Sequence, residues 1–204
     1  MPYAMETNIV LIGFMGAGKT EVGRLLAKNK GFNFIDLDFL IETHEGMTVS
    51  EIFRQKGEIY FREFESKILK DIEKNKHNIL NSAARFIDIT LKSENLIINP
   101  KNKLWAISTG GGMPVFNGNI NILKKIGLVI YLEADSKTLY RRIKTEKNRP
   151  VLGERGFGEK DVKSKLFERE KFYKKADIII YTGGLSLSSI AEEIDIFISN
   201  LYGI

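Results

Sequence analysis

Eight consecutive residues, Gly13-Phe-Met-Gly16-Ala-Gly18-Lys19-Thr20, carry the most specific chemistry in the chain. Glycines at this spacing let backbone N–H groups turn inward around phosphate oxygens with no β-carbon in the way. Lys19 adds a mobile positive charge for the outer phosphates, and the Thr20 hydroxyl is a hard-oxygen donor suited to magnesium. The stretch Gly16, Ala17, Gly18, Lys19, Thr20 and Glu21 is therefore expected to hold a nucleoside triphosphate. Further along stand other residues with chemistry to offer: the acids Asp36 and Asp38, the arginines Arg62, Arg142, Arg149 and Arg169, and the triplet Gly110-Gly111-Gly112.

A phosphate loop works only between a strand and a helix whose positive dipole end points at the phosphates. The apolar run Asn8-Ile-Val-Leu-Ile12 supplies the strand, and a helical pattern opens at Lys19 and runs to about Lys30, ended by Gly31. Beyond it, short apolar runs alternate with amphipathic segments, the pattern of a parallel sheet with helices on both faces. Strands are expected at 8–12, 33–36, 104–108, 128–132 and 177–181. The fold class is thus α/β, three layers around a five-stranded parallel sheet.

Asp36-Leu37-Asp38 follows the second strand, and the two acids share a face if the extended conformation persists. A short helical run then stops near Gly46, and Thr48-Val-Ser-Glu51 reads as a capping box for a helix that halts at Gly57. A longer helix from Tyr60 to about Lys74 carries Arg62. Helices placed like these, over 39–75, build a substrate pocket, because ligands of open α/β sheets bind at the carboxyl ends of the strands. The glycine triplet leaves the third strand at that same edge.

A helix is expected from Ser136 to about Lys147, followed by a glycine-rich break that gives a lid over 149–160. Helix resumes from Asp161 to about Lys175 with Arg169 in its later half, and a last helix over 188–201 turns Ile190, Ile194 and Phe197 to the sheet. The segment 77–103 is longer than the usual connection of about two to six residues and reads as an insertion before the third strand. Within it Ile87, Ile89 and Leu91 alternate as a strand would, Leu96-Ile-Ile98 is a second apolar run, and Asn99-Pro-Lys-Asn102 is a turn, so a hairpin or a helix plus strand on the sheet edge is expected. His44 and His77 have no partner at metal-ligand spacing and read as surface residues.

Composition narrows the setting. At 204 residues, with no Pro, Gly or Ser-rich linker, one domain is the economical reading. There is no cysteine, which fits a reducing cytoplasm, and no stretch of the roughly 20 apolar residues a membrane span needs. The N-terminus lacks a basic-then-apolar leader. The net charge of +5 comes from scattered lysines that favour encounter with anions such as ATP, without the dense basic stripe and interleaved aromatics of a nucleic-acid binder. A cytoplasmic monomer acting on small molecules, with no nucleic-acid or membrane partner, is the expectation.

Taken in order, the phosphate loop Gly16-Ala-Gly-Lys-Thr20, Asp36-Leu-Asp38, Phe61-Arg62, Gly110-Gly-Gly112, Arg149-Pro150 and Arg169 resemble the shikimate kinase family, small phosphate-loop kinases of the nucleoside-monophosphate-kinase fold. The resemblance implies phosphorylation of the 3-hydroxyl of shikimate by ATP and magnesium. It assigns Lys19 to the β- and γ-phosphates and Thr20 and Asp36 to magnesium, the latter through water. Asp38 binds shikimate hydroxyls and orients or deprotonates the attacking one. Arg62 and Arg169 grip the carboxylate, which suits the planar guanidinium fork. Gly111 and Gly112 offer backbone donors, Arg149 swings in with the lid, and Arg142 lies against adenine.

Two departures stand out: Glu21 occupies a position where the family often has a second hydroxyl residue, and Thr182-Gly-Gly-Leu-Ser186 lacks the long side chain many members place beside adenine. The competing readings are a gluconate or nucleoside-monophosphate kinase and a non-catalytic relative that binds a metabolite. Each bland alternative is specific too: Arg62 could pair with Glu58 one turn away, and Arg169 could lie on a solvated face among Glu168, Glu170 and Lys171.

Overall fold

The computed structural model describes residues 7–90, 92–145 and 158–202. Strand β1, Asn8–Ile12, lies at the middle of the sheet, where its isoleucine, valine and leucine side chains are wholly buried. Consecutive residues of a strand point to opposite faces, so a run buried throughout means that both faces are covered. Helix α1, Lys19–Lys30, packs on α9, Leu187–Tyr202, and on strands β2, Asn33–Asp36, and β4, Trp105–Ser108. A second group, α4, Glu58–Lys74, and α6, Asn119–Ile126, pack on each other, with α6 against β1 and β5, Gly127–Glu133. The last strand is β6, Ile178–Tyr181.

With a short strand β3, Leu96–Ile97, at one edge, the strand order is β3-β2-β4-β1-β5-β6, with β2, β4, β1, β5 and β6 parallel. The sequence reading of five parallel strands is correct for these, and a sixth is added. Strand β3, Leu96–Ile97, runs antiparallel to β2, with Phe34 opposite Ile97 and Ile35 opposite Leu96. It comes from segment 77–103, which forms a helix plus strand: α5, Ile79–Ala83, then β3. Residues 87 and 89 lie in a bend and a turn, so the alternation of Ile87 and Ile89 did not mark a strand, and Leu91, the third of that alternation, lies outside the described residues; burial of Ile87 explains one apolar position.

This segment covers an edge that would otherwise be bare. All four residues of β2 are buried, and its Asp36 N–H donates to Asn95 O over 3.0 Å. The turn at 99–102 is fixed by Asn33, whose Oδ1 accepts from Asn99 N at 2.7 Å and whose Nδ2 donates to Asn102 O at 2.8 Å. An edge strand with unpaired backbone groups invites pairing with other chains, and β3 caps this one.

The helices beyond the strand ends follow the local signals. Helix α2, Leu37–Glu45, stops at Gly46 in the left-handed conformation. Helix α3, Val49–Lys56, opens on a complete capping box: Thr48 Oγ1 accepts from Glu51 N at 3.3 Å and Glu51 accepts from Thr48 N at 2.8 Å, a motif worth about 1 kcal/mol. Helices α7, Ser136–Thr145, and α8, Glu159–Tyr173, flank the lid sequence, of which Arg149 and residues through 157 lie outside the described residues. On α9, Ile190 and Ile194 are buried as expected, but Phe197 is 45% exposed and Ile198 takes the inward position. The helical period carries the buried stripe from Ile194 to Ile198, four residues on, rather than three.

Candidate active site

The loop after β1 closes as its glycines require. Gly16 and Gly18 have φ of +80° and +89°, values that cost other residues steric strain. Gly18 is also the N-cap of α1 and has no side chain to occupy the first N–H groups, so these remain directed at an anion. Lys19 is buried and its Nζ donates to Phe14 O at 3.0 Å, which folds the amine back over the loop. Glu21 is exposed in the first turn of α1. Its backbone, not its carboxylate, is therefore the part available to a phosphate, which removes the repulsion an acid here would cause.

Asp36 and Asp38 do not share a strand face. Asp36 is the last residue of β2 and the N-cap of α2, its Oδ1 accepting from Asp38 N at 3.0 Å and Phe39 N at 3.3 Å. Helix begins at Leu37, so the side chains diverge. Asp36 Oδ2 accepts from the Thr20 hydroxyl at 2.6 Å, with Ser108 Oγ 3.5 Å from the same hydroxyl. Among the described residues no three His, Cys, Asp or Glu side chains gather as a metal cage. The Thr20–Asp36 pair is instead a small hard-oxygen set beside the phosphate loop, which fits magnesium, an ion that keeps waters and substrate phosphates as most of its ligands.

Asp38 turns toward the glycine triplet. A methyl group on Gly110 would lie 2.5 Å from Asp38 Oδ1 and 2.9 Å from Glu65 Oε1, and one on Gly112 would lie 2.3 Å from the Arg62 guanidinium carbon. Only glycine allows these side chains to close in. The triplet is pinned to β1 through Thr109, whose N–H and hydroxyl both donate to Leu11 O, at 3.2 and 3.1 Å. Arg169 completes the group: its Nη1 is 3.6 Å from where a Gly111 β-carbon would stand, and its guanidinium sits 5.4 Å from the centre of the Phe14 ring. Arg169 is thus directed at the glycine loop and the phosphate loop, with the solvated-face alternative excluded.

Arg62 does pair with Glu58, at 2.9 Å, but it makes a second bond to Glu65 Oε2 at 2.8 Å and rests near the Phe53 and Phe61 rings. Its side chain is only 12% exposed. Glu65 is fully buried, and burial pushes its carboxyl up to about 8, with Arg62 pulling the other way and Asp38 adding to the rise. Arg62 is held more firmly protonated by Glu65 and Glu58 against the opposing effect of burial. A buried acid paired with an arginine beside a second acid is the arrangement expected of a ligand site rather than of a stabilising pair.

Sequence reasoning missed Glu65. Its signal was an acid three residues after Arg62 on the apolar stripe of α4, among Phe61, Phe64, Ile68 and Leu69, where a carboxylate needs a partner. It also missed Tyr173, whose hydroxyl donates to Gly111 O. Arg142 does not join this cluster; it donates to Thr182 O at 2.8 Å and to Gly16 O of the phosphate loop at 3.4 Å. Leu187, 41% exposed, flanks the loop near Gly18 and offers an apolar face where the sequence suggested none.

The chain matches the family model described as shikimate kinase over residues 15–87 and 92–199, so the match takes in most of segment 77–103. A shikimate kinase of Thermodesulfovibrio yellowstonii is 39% identical over 187 residues, 92% of this chain and 92% of that protein. One of Persephonella marina is likewise 39% identical, over 92% of this chain and 96% of its own. Among solved structures, shikimate kinase from Acinetobacter baumannii in complex with shikimate is 31% identical, covers 95% of this chain and 94% of that one, and superposes with a TM-score of 0.74.

Proposed function

The chain belongs to the shikimate kinase family, and from that premise we propose that it transfers the γ-phosphoryl group of ATP to the 3-hydroxyl of shikimate. The observation that carries this reading is the convergence of Asp38, Arg62 and Arg169 on Gly110 to Gly112, beside the phosphate loop. Two arginines and a carboxylate are what an acceptor bearing one carboxylate and several hydroxyls requires.

Phosphoryl transfer has a loose transition state, so the residues act chiefly by positioning and by neutralising charge. Lys19 exchanges Phe14 O for the β- and γ-phosphate oxygens, and the loop N–H groups from Gly16 to Glu21 cradle the phosphates. Thr20 and, through water, Asp36 would hold the magnesium ion, which would offset negative charge on the phosphates. Arg62 and Arg169 take the shikimate carboxylate. The N–H groups of Gly111 and Gly112 donate to ring hydroxyls. Asp38 accepts the hydrogen bond of the 3-hydroxyl and receives its proton as the oxygen bonds to the γ-phosphorus and ADP departs.

Arg142 and Leu187 flank the phosphate loop and bracket the adenine. Arg149, in the 149–160 lid sequence, is assigned to the transferring phosphoryl group. The chain acts as one domain and one subunit, with 39–75 as its acceptor-binding region and the cytoplasm as its location. No helix among the described residues is long and apolar enough to cross a membrane.

The test is magnesium-dependent ADP release, measured with no acceptor and then with shikimate, gluconate, AMP and CMP. Stimulation by shikimate alone is expected. Stimulation by gluconate or a nucleotide but not by shikimate would overturn the acceptor assignment, and ATP binding with no turnover on any acceptor would favour a metabolite-binding relative.

A further inference from the structure

Three consecutive glycines make poor scaffolding. A Gly-Gly peptide plane is held by no side chain and rotates more freely than any other, yet Gly111 and Gly112 must present N–H groups to the acceptor in fixed directions. Something must hold that plane.

We propose that Tyr173 is the positioning residue for the acceptor, fixing the Gly111–Gly112 peptide through its hydroxyl and lying one helical turn beyond Arg169 as the support of that side chain. The Tyr173 hydroxyl donates to Gly111 O at 2.5 Å. In a trans peptide the carbonyl and the following N–H point in opposite directions, so a Gly111 carbonyl held toward α8 turns the Gly112 N–H away from it. Tyr173 is itself immobile: it is fully buried, and its ring packs against Tyr131 of β5 at 5.1 Å between centres. The anchor therefore ties the one carbonyl of the triplet that lies between the Gly110 and Gly112 carbonyls, which accept from Met113 N and Val115 N, to the sheet.

Residues 169 and 173 are four apart on α8, so they share a face. The Arg169 guanidinium is close enough to Tyr173 to affect its hydroxyl, which burial pushes up to about 12 against the pull of that cation. The phenol thus stays protonated, as a donor to Gly111 O must. One aromatic residue then links two of the acceptor contacts, a backbone N–H and a carboxylate-binding arginine, without touching the acceptor. The hydroxyl bonds to Gly111 O, in the triplet assigned to the acceptor, so its loss is expected to act on the acceptor more than on ATP.

This inference rests on the shikimate reading, and the experiment separates the two. Steady-state kinetics with Y173F, which keeps the ring and removes the hydroxyl, are compared with wild type and with Y131F. A lost buried hydrogen bond predicts a KM for shikimate raised about tenfold, with the KM for ATP and kcat little changed and Y131F like wild type. An unchanged shikimate KM in folded Y173F, or an equal rise in both KM values, overturns the inference while leaving the function standing. Wild type that shikimate does not stimulate brings down both. If Y173F fails to fold, proton NMR of the wild type decides: the protected Tyr173 hydroxyl signal should shift on adding shikimate and stay in place on adding ADP. A signal indifferent to shikimate overturns the proposal.

Discussion

Arg62 donates from Nη1 to Glu65 Oε2 over 2.8 Å, three residues along the same helix, and the acid it meets has no exposed surface at all. The pair faces Asp38 and Gly112, so the arginine is oriented from behind by the buried Glu65 carboxyl group while its front remains for a substrate carboxylate. Arg62→Ala should raise the shikimate KM by roughly two orders of magnitude, the loss of a charge-assisted bidentate contact, while the KM for ATP stays near wild type. Arg62→Lys should recover little, because an ammonium cannot serve Glu65 and a substrate carboxylate in the fork geometry. A collapse of ATP affinity in either variant would mark Arg62 as structural.

Glu65 ties acceptor binding to pH. Burial pushes its carboxyl, ordinarily near 4.5, up to about 8, so near neutral pH it holds Arg62 through a hydrogen bond without fully cancelling the guanidinium charge that attracts an anion. Above about 8 an ionised Glu65 competes for Arg62, and the shikimate KM should rise. The same shift bears on stability: because the folded value is the higher one, the contribution is fully present below 4.5 and is lost as pH rises through about 8. Glu65→Gln should flatten both profiles over that window, checked by KM and thermal melts from pH 5 to about 9. Profiles identical to wild type would assign the titration elsewhere.

Lys19→Ala should lower kcat by roughly a hundredfold to a thousandfold, because the amine neutralises charge that develops in transfer. Circular dichroism should show the fold intact. Turnover within a few-fold of wild type would remove the loop from the mechanism.

Gly23→Ala tests how the helix after the loop is seated. A β-carbon there would stand 2.4 Å from Cε2 of Phe34, a fully buried ring on β2. Overpacking of this kind costs about 1–3 kcal/mol, so the melting temperature should fall by several degrees. Because Phe34 precedes Asp36 by two residues, turnover should also weaken. An unshifted melting temperature would mean that α1 and β2 approach less closely.

The parts legible in the sequence were those fixed locally. The phosphate loop, the stop at Gly31 and the Thr48–Glu51 box each follow from residues a few positions apart, and the structure reproduces them at the same residues. Two things depended on tertiary partners. Asp36 and Asp38 read as strand neighbours until a helix begins at Leu37 and separates them. Ile87 and Ile89 alternate like a strand, yet among the described residues no partner strand lies beside them, whereas the apolar run that includes Leu96 and Ile97 finds β2. Glu65 and Tyr173 were hidden for the same reason. Each is one residue on an amphipathic helix, and its meaning comes from Arg62 or from a glycine carbonyl that only the folded chain brings near.

The most direct test of the account is the position of the new phosphate. After reaction with ATP, magnesium and shikimate, phosphorus NMR of the product should show one phosphomonoester coupled to the proton on carbon 3, forming with Lys19→Ala only at the roughly hundredfold to thousandfold lower rate given above. A phosphomonoester coupled elsewhere on the ring, or inorganic phosphate with unaltered shikimate, would contradict the placement of Asp38, Arg62 and Arg169 around the acceptor.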